Sequence, residues 1–188
     1  MASHSQRPRA ERLVIGITGR IGSGKTTVGR YLESTHRFQY LRYSEVLAEW
    51  LAKDPESKAQ LQKVGWEVMA GGMQADLNRR LIARVTPDAD FAVDGLRHPL
   101  DFDTLRNSFS ASFHLLFMDS PPQLRFERLN QKGKYADFAS FAAADSHPVE
   151  QQIDLLRPNA ALVISNERSL PDLYATVDEA IRNFRREG

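Results

Sequence analysis

The sequence contains no cysteine. Disulfides, thiolate metal sites and cysteine nucleophiles are thereby excluded, and the usage is compatible with a reducing compartment, so a cytoplasmic location is expected. Long apolar runs are missing too: the longest, Ala160 to Ile164, has five residues against about 20 needed to cross a bilayer. No membrane partner is expected. Neither sign of charge is in excess, since 25 Lys and Arg against 24 Asp and Glu leave a net charge of +1. Such a chain has no extended basic field for a nucleic acid, so a nucleic-acid partner is not expected and any polyanion must meet a local site. His4, His36, His98, His114 and His147 show no short metal-ligand spacing, which argues against a zinc centre.

What is present fits one globular domain. The 188 residues are 41% hydrophobic and 26% charged, enough for one packed core. Met1 to Glu11 is polar, with Arg7, Pro8 and Arg9 and no apolar segment behind them, and reads as a frayed tail, not a secretory signal. Residues 12–188 are expected to form the domain.

Leu13 to Thr18 is short, β-branched and followed at once by glycines, as a strand buried on both faces would be. Val28, Tyr31 and Leu32 then predict a helix over Thr26 to Ser34, and Phe38 to Tyr43 a second strand. Three helical faces follow between Ser44 and Val85: Val46, Leu47, Trp50 and Leu51; Leu61, Val64, Val68 and Met69; Leu77, Leu81 and Ile82. Pro55 and Gly71-Gly72 are the breaks between them. Phe91 to Val93, Phe113 to Met118 and Ala161 to Ser165 predict three more strands, and Asp172 to Arg186 a closing amphipathic helix. Strands alternating with helices imply an α/β fold with a doubly wound parallel sheet, whose ligands bind beyond the carboxyl ends of the strands.

Just there, after the first strand, stands Gly19-Arg20-Ile21-Gly22-Ser23-Gly24-Lys25-Thr26, a full match to G-x-x-x-x-G-K-S/T. Glycines let successive backbone N–H groups converge on one phosphate, and the loop delivers that phosphate to the positive end of a helix. Gly19, Gly22, Ser23, Gly24, Lys25, Thr26 and Thr27 are therefore the candidate ATP contacts. Lys25 would reach the β and γ phosphates, and the Thr26 hydroxyl would ligate Mg2+.

The third strand ends in Asp94-Gly95-Leu96-Arg97, where a carboxylate can hold Mg2+ beside the loop. Gly95 replaces the second carboxylate that motor-type ATPases use to activate water. Arg97 stands where guanine-specific switches need glycine, and Asn166-Glu167-Arg168-Ser169 does not match their base reader. Phosphoryl transfer to a small acceptor is what these omissions leave. Arg97 is placed to bind an acceptor phosphate bidentately. Arg125 and Arg128 are helical neighbours, followed by Lys132 and Lys134, and read as lid cations that stabilise transferred charge. Catalytic roles are accordingly expected for Lys25, Asp94, Arg97, Arg125 and Arg128. His98 is the one histidine near the presumed active edge, and Trp50 and Trp66 read as core or pocket wall.

Taken with Leu61-Gln62-Lys63-Val64-Gly65, Leu105-Arg106, Arg125-Phe126-Glu127-Arg128-Leu129 and Ile164-Ser165-Asn166, these motifs cover most of residues 13–182. In that order they resemble the nucleoside monophosphate kinase-like group of phosphate-loop kinases, which includes dephospho-coenzyme A kinases and phage-type deoxynucleoside monophosphate kinases. The resemblance implies a five-stranded sheet in the order 2-3-1-4-5, an acceptor-binding helical insertion over residues 44–86 and a lid over residues 125–147. It also implies that Asn166 lies near the adenine and Arg79 or Arg80 near the acceptor. Two departures leave the acceptor open. Tyr43-Ser44-Glu45 lacks the Asp that dephospho-coenzyme A kinases usually carry after the second strand, and Ala144-Asp145 lacks the Arg of an Arg-Asp pair. The leading expectation is transfer from ATP to a nucleoside or deoxynucleoside monophosphate. The alternatives are a dephospho-coenzyme A kinase with Glu45 or Asp94 as base, a kinase of a modified base in DNA, and an ATP-sensing module with little turnover.

Overall fold

Apolar segments of five to seven residues form the three central strands, which are buried on both faces, and two strands of four residues at the edges are more open to solvent. The computed structural model describes residues 12–51 and 58–187. The expected tail over residues 1–11 and the break at Pro55 lie outside them, as does the side chain of Leu61. In chain order the strands are β1 (Val14–Thr18), β2 (Gln39–Arg42), β3 (Phe91–Leu96), β4 (Phe113–Asp119) and β5 (Leu162–Ser165). All neighbours are parallel and the sheet order is β2-β3-β1-β4-β5. The 2-3-1-4-5 arrangement implied by the resemblance is the one observed.

The helices are α1 (Lys25–His36), α2 (Tyr43–Trp50), α3 (Lys58–Ala70), α4 (Gln74–Ile82), α5 (Pro99–Phe109), α6 (Pro122–Asn130), α7 (Phe138–Asp145), α8 (Pro148–Gln151) and α9 (Leu170–Glu187). A 3-10 stretch, Gln152–Asn159, leads into β5. Side-chain alternation along the strands divides the core. Ile15, Ile17, Ala92, Leu116 and Met118 pack against α1 and α9, through Val28, Leu32, Val177 and Ile181. Val14, Phe91, Val93 and Leu115 face the other way, onto α2 to α5, through Val46, Val68, Leu81 and Leu105. A third, small cluster of Ile21, Leu129 and Phe141 fastens α6 and α7 to the loop after β1.

The three helices expected between the second and third strands are present. One helix was not anticipated: α5 follows β3, begins with proline at its first turn and buries Phe102, Leu105 and Phe109. Between β1 and β3 the register slips, so that Ile17 pairs with Asp94 but Thr18 with Leu96, leaving Gly95 as the extra residue beside the site.

Candidate active site

The turn from β1 into α1 builds a backbone cradle at the carboxyl edge of the sheet. Gly24 is the N-cap of α1 with φ of 105°, a conformation that L side chains avoid. Space demands glycine there as well, since a Cβ on Gly24 would lie 2.3 Å from Asn166 Nδ2. Groups from distant parts of the chain hold the loop open. Ile21 N–H donates to Glu150 Oε2 at 2.9 Å, the Ile21 carbonyl accepts from Arg125 Nη1 at 3.0 Å, and the Ser23 carbonyl accepts from Asn166 Nδ2 at 2.9 Å. Lys25 turns its ammonium onto the carbonyls of Gly19 (2.6 Å) and Arg20 (3.0 Å). Burial pushes the Lys25 ammonium down from its ordinary range, with Asp94 opposing and the Arg97 cation reinforcing the shift.

Asp94, buried at the end of β3, is the carboxylate beside the cradle. Its Oδ2 accepts from Thr26 Oγ1 at 3.0 Å and from the Tyr40 hydroxyl at 2.8 Å. Burial, followed by the charge of Asp94 and its hydrogen bond, raises the Tyr40 hydroxyl far above its ordinary value, so it remains a proton donor. Thr26 and Asp94 form a hard-oxygen pair of the kind Mg2+ takes when phosphates and water complete its octahedron. The donor set fits that ion.

Arg97 is held at both ends. Its backbone N–H donates to Asp101 Oδ2 at 3.0 Å, and its guanidinium pairs with Glu150 Oε1 through Nη1. Glu150, carried by α8, is fully buried and also takes Gln62 Nε2 at 3.2 Å. Burial alone would push its carboxyl up, but the Arg97 and Lys25 cations and the hydrogen bonds from Arg97 and Gln62 bring it down to about 2. One carboxylate thus ties the phosphate loop, the end of β3 and the helix α3 together.

A cleft of about 510 Å³ runs along this edge. At the β4–β5 end Gly22, Gly24, Thr27, Arg128, Lys132 and Asn166 line it, and at the β2–β3 end Arg42, Leu47, Gln62, Met69, Leu77 and Arg97 do so. Lys25, Thr26 and Asp94 lie on its wall between them.

Not every expected residue is there. Arg125 and Arg128, read as a pair of lid cations, are separated by their surroundings. Arg125 is buried, with Nη1 and Nη2 on the two oxygens of Asp145 at 2.5 and 2.9 Å and Nε on the Ser120 carbonyl at 3.0 Å. Those bonds make it a brace of the loop, and it does not line the cleft. Arg128 does line it and donates to the Asn166 carbonyl at 2.8 Å. Of the two lysines expected beside them, Lys132 lines the cleft and Lys134 does not. Asp145, which lacks a preceding arginine, finds its guanidinium partners in Arg125 and Arg20. Arg79 and Arg80, expected near the acceptor, are both outside the cleft: Arg79 pairs with Asp76, and Arg80 sits 4.8 Å over the Trp50 ring. Glu45 is exposed and pairs with Arg42 at 2.9 Å. His98 caps α5 by accepting from Leu100 N–H at 3.0 Å, and neither tryptophan lines the cleft. Glu150, Tyr40 and Arg42 were not anticipated. No local spacing marks Glu150, whereas Arg42 could have been found as the last residue of a strand entering the site.

A parallel sheet in the order 2-3-1-4-5, with a strand, G-x-x-x-x-G-K-T loop and helix at its centre, is a phosphate-loop nucleotide-binding fold. No protein-family model matches the chain. In sequence it is similar to a UPF0200 protein of Pyrobaculum aerophilum, 24% identical over 181 residues that cover 92% of this chain and 98% of that one. In structure it is similar to shikimate kinase from Acinetobacter baumannii in complex with shikimate, with a TM-score of 0.62, 18% identity and coverage of 93% and 95%. It is also similar to the APS kinase of Mycobacterium tuberculosis in complex with AMPPNP and APS, with a TM-score of 0.61, 20% identity and coverage of 94% and 99%. Among the described residues no helix is long and apolar enough to cross a membrane.

Proposed function

We propose that the protein is a Mg2+-dependent phosphotransferase that moves the γ-phosphoryl group of ATP to a nucleoside or deoxynucleoside monophosphate. The observation that carries this reading is the convergence of Lys25, Thr26 and Asp94 on one glycine cradle in the wall of a single cleft. The loop amides and Lys25 hold the donor phosphates, and Asn166 borders the donor end. Thr26 and Asp94 hold Mg2+, which would neutralise charge on the phosphate oxygens. An acceptor oxygen bonds to the γ phosphorus as the bond to the β–γ bridging oxygen breaks, and ADP departs. Arg97 orients the acceptor anion from a position fixed by Asp101 and Glu150, and Arg128 with Lys132 counters charge that spreads over the transferred group. The segment 44–86 serves as the acceptor arm and 125–147 as the lid.

The acceptor end offers cations for an anion and apolar surface beside them. Arg42 and Arg97 flank Asp94, while Leu47, Met69 and Leu77 provide apolar walls and Gln62 and Gln74 provide amides. The solved kinases of similar fold hold small molecules, shikimate in one and APS beside AMPPNP in the other. A monophosphate is already ionised at neutral pH and needs no strong base. Dephospho-coenzyme A, whose acceptor is a hydroxyl, would gain from one; Glu45 points its charge to Arg42 and does not line the cleft. ADP release measured with a panel of nucleoside and deoxynucleoside monophosphates and with dephospho-coenzyme A tests the reading. Turnover stimulated by a monophosphate is expected. Stimulation by dephospho-coenzyme A alone would reassign the acceptor, and tight ATP binding with no acceptor-stimulated turnover would make the protein a nucleotide sensor.

A further inference from the structure

Tyr40 belongs to β2, at the edge of the sheet, yet its hydroxyl reaches Asp94 Oδ2 at 2.8 Å, the oxygen that also receives Thr26 Oγ1. That reach depends on a residue in another element. Gly29 lies in the interior of α1, and a Cβ there would stand 2.1 Å from Tyr40 Cε2 and 2.4 Å from Tyr40 Cζ. Glycine inside a helix costs about 1 kcal/mol relative to alanine. α1 therefore gives up helix stability at the one turn over which the phenol ring passes. The Arg30 guanidinium lies 5.2 Å from the ring centroid and closes the ring in from the next position along the helix.

We propose that Tyr40 is a positioning residue for the metal-holding carboxylate: two hydroxyl donors on Oδ2, from Tyr40 and Thr26, fix the rotation of Asp94 toward the cleft. The inference rests on the reading that Asp94 and Thr26 hold Mg2+ with the nucleotide. It adds a residue of β2 to a metal-holding pair drawn from α1 and β3, and it gives the interior glycine of α1 a reason. Partners that orient a metal ligand are commonly worth about tenfold to hundredfold in metal affinity.

The test is Tyr40→Phe in the full chain, which deletes the oxygen and keeps the ring against Gly29. Binding of a fluorescent ATP analogue is titrated with Mg2+ and, separately, with Mn2+ followed by electron paramagnetic resonance. The expected result is a metal half-saturation raised about tenfold or more, with metal-free nucleotide affinity unchanged; a purely structural role for Tyr40 would shift the metal-free affinity as well. Gly29→Ala, which keeps the hydroxyl but displaces the ring, is expected to weaken metal dependence in the same direction, and it stands in if Tyr40→Phe fails to fold. Wild-type metal dependence in the variants overturns the proposal. Wild-type protein whose nucleotide binding ignores Mg2+ would instead overturn the reading on which it rests, so the two failures are distinguishable.

Discussion

Replacing Glu150 by glutamine preserves the shape of the side chain and removes its charge, and the consequence can be worked out from the site. The carboxyl is fully buried, and its affinity for a proton is held at about 2 instead of the ordinary 4.5 by Arg97, Lys25 and Gln62, which together outweigh the burial. A depression of that size is equivalent to about 3 kcal/mol of folding stability. The folded value lies below the unfolded one, so the contribution is complete above pH 4.5 and lost as the pH falls toward 2. By about pH 3, roughly 2 kcal/mol of it has gone. At neutral pH the variant also leaves the Arg97 charge without its counter-ion, a change worth about 3 kcal/mol or more when the pair is buried. Urea unfolding of both proteins near pH 7 and pH 3 is the assay. The variant should be less stable by about 3 kcal/mol near neutrality, and the gap should shrink by roughly 2 kcal/mol in acid. Glutamine can still accept the Ile21 N–H through its amide oxygen, but its amide nitrogen then faces the Arg97 and Gln62 donors, so the loss near neutrality combines charge with hydrogen bonding and it is the change of the gap with pH that reports on charge. A gap that is absent, or equal at the two pH values, refutes the claim that neighbouring cations keep Glu150 ionised.

Arg125→Ala should act on the fold, lowering stability by about 3 to 5 kcal/mol because Asp145 is left without its bidentate partner. Thermal unfolding would register this, and an unmoved midpoint with collapsed turnover would return Arg125 to the chemistry. Gly24→Ala places a methyl group 2.3 Å from Asn166 Nδ2 at a φ of 105°, and calorimetry should show nucleotide binding lost in a chain that still folds; retained affinity would mean the loop takes its shape for other reasons. Arg97→Ala should raise the acceptor KM roughly tenfold to hundredfold with little change in the ATP KM, whereas a loss confined to ATP would place Arg97 on the donor side.

The central strands and the loop were legible in the sequence for physical reasons. Strands covered on both faces must be short, continuous and apolar, and a backbone cradle for phosphate needs glycine at Gly19, Gly22 and Gly24 and a cation at Lys25. α5 carries a readable signal in the helical spacing of Phe102, Leu105 and Phe109 behind Pro99. Glu150 left none. Its partners are Ile21, Gln62 and Arg97, 129, 88 and 53 residues away, and a burial that depends on such distant pairing has no local pattern. Arg125 misled for a related reason: three residues from Arg128 it shares a helical face, but what decides its fate is Asp145, 20 residues downstream. Spacing gives adjacency on a helix, not whether water or a carboxylate waits beside it.

The small cluster of Ile21, Leu129 and Phe141 has a mechanical implication. Three apolar side chains tie the two helices of the proposed lid to the loop beneath them. What remains able to sweep over bound substrate is the exposed stretch from Gln131 to Lys134 and the tips it carries. In a lid of that kind, closure would fall to the short tips while both helices keep their seat on the loop.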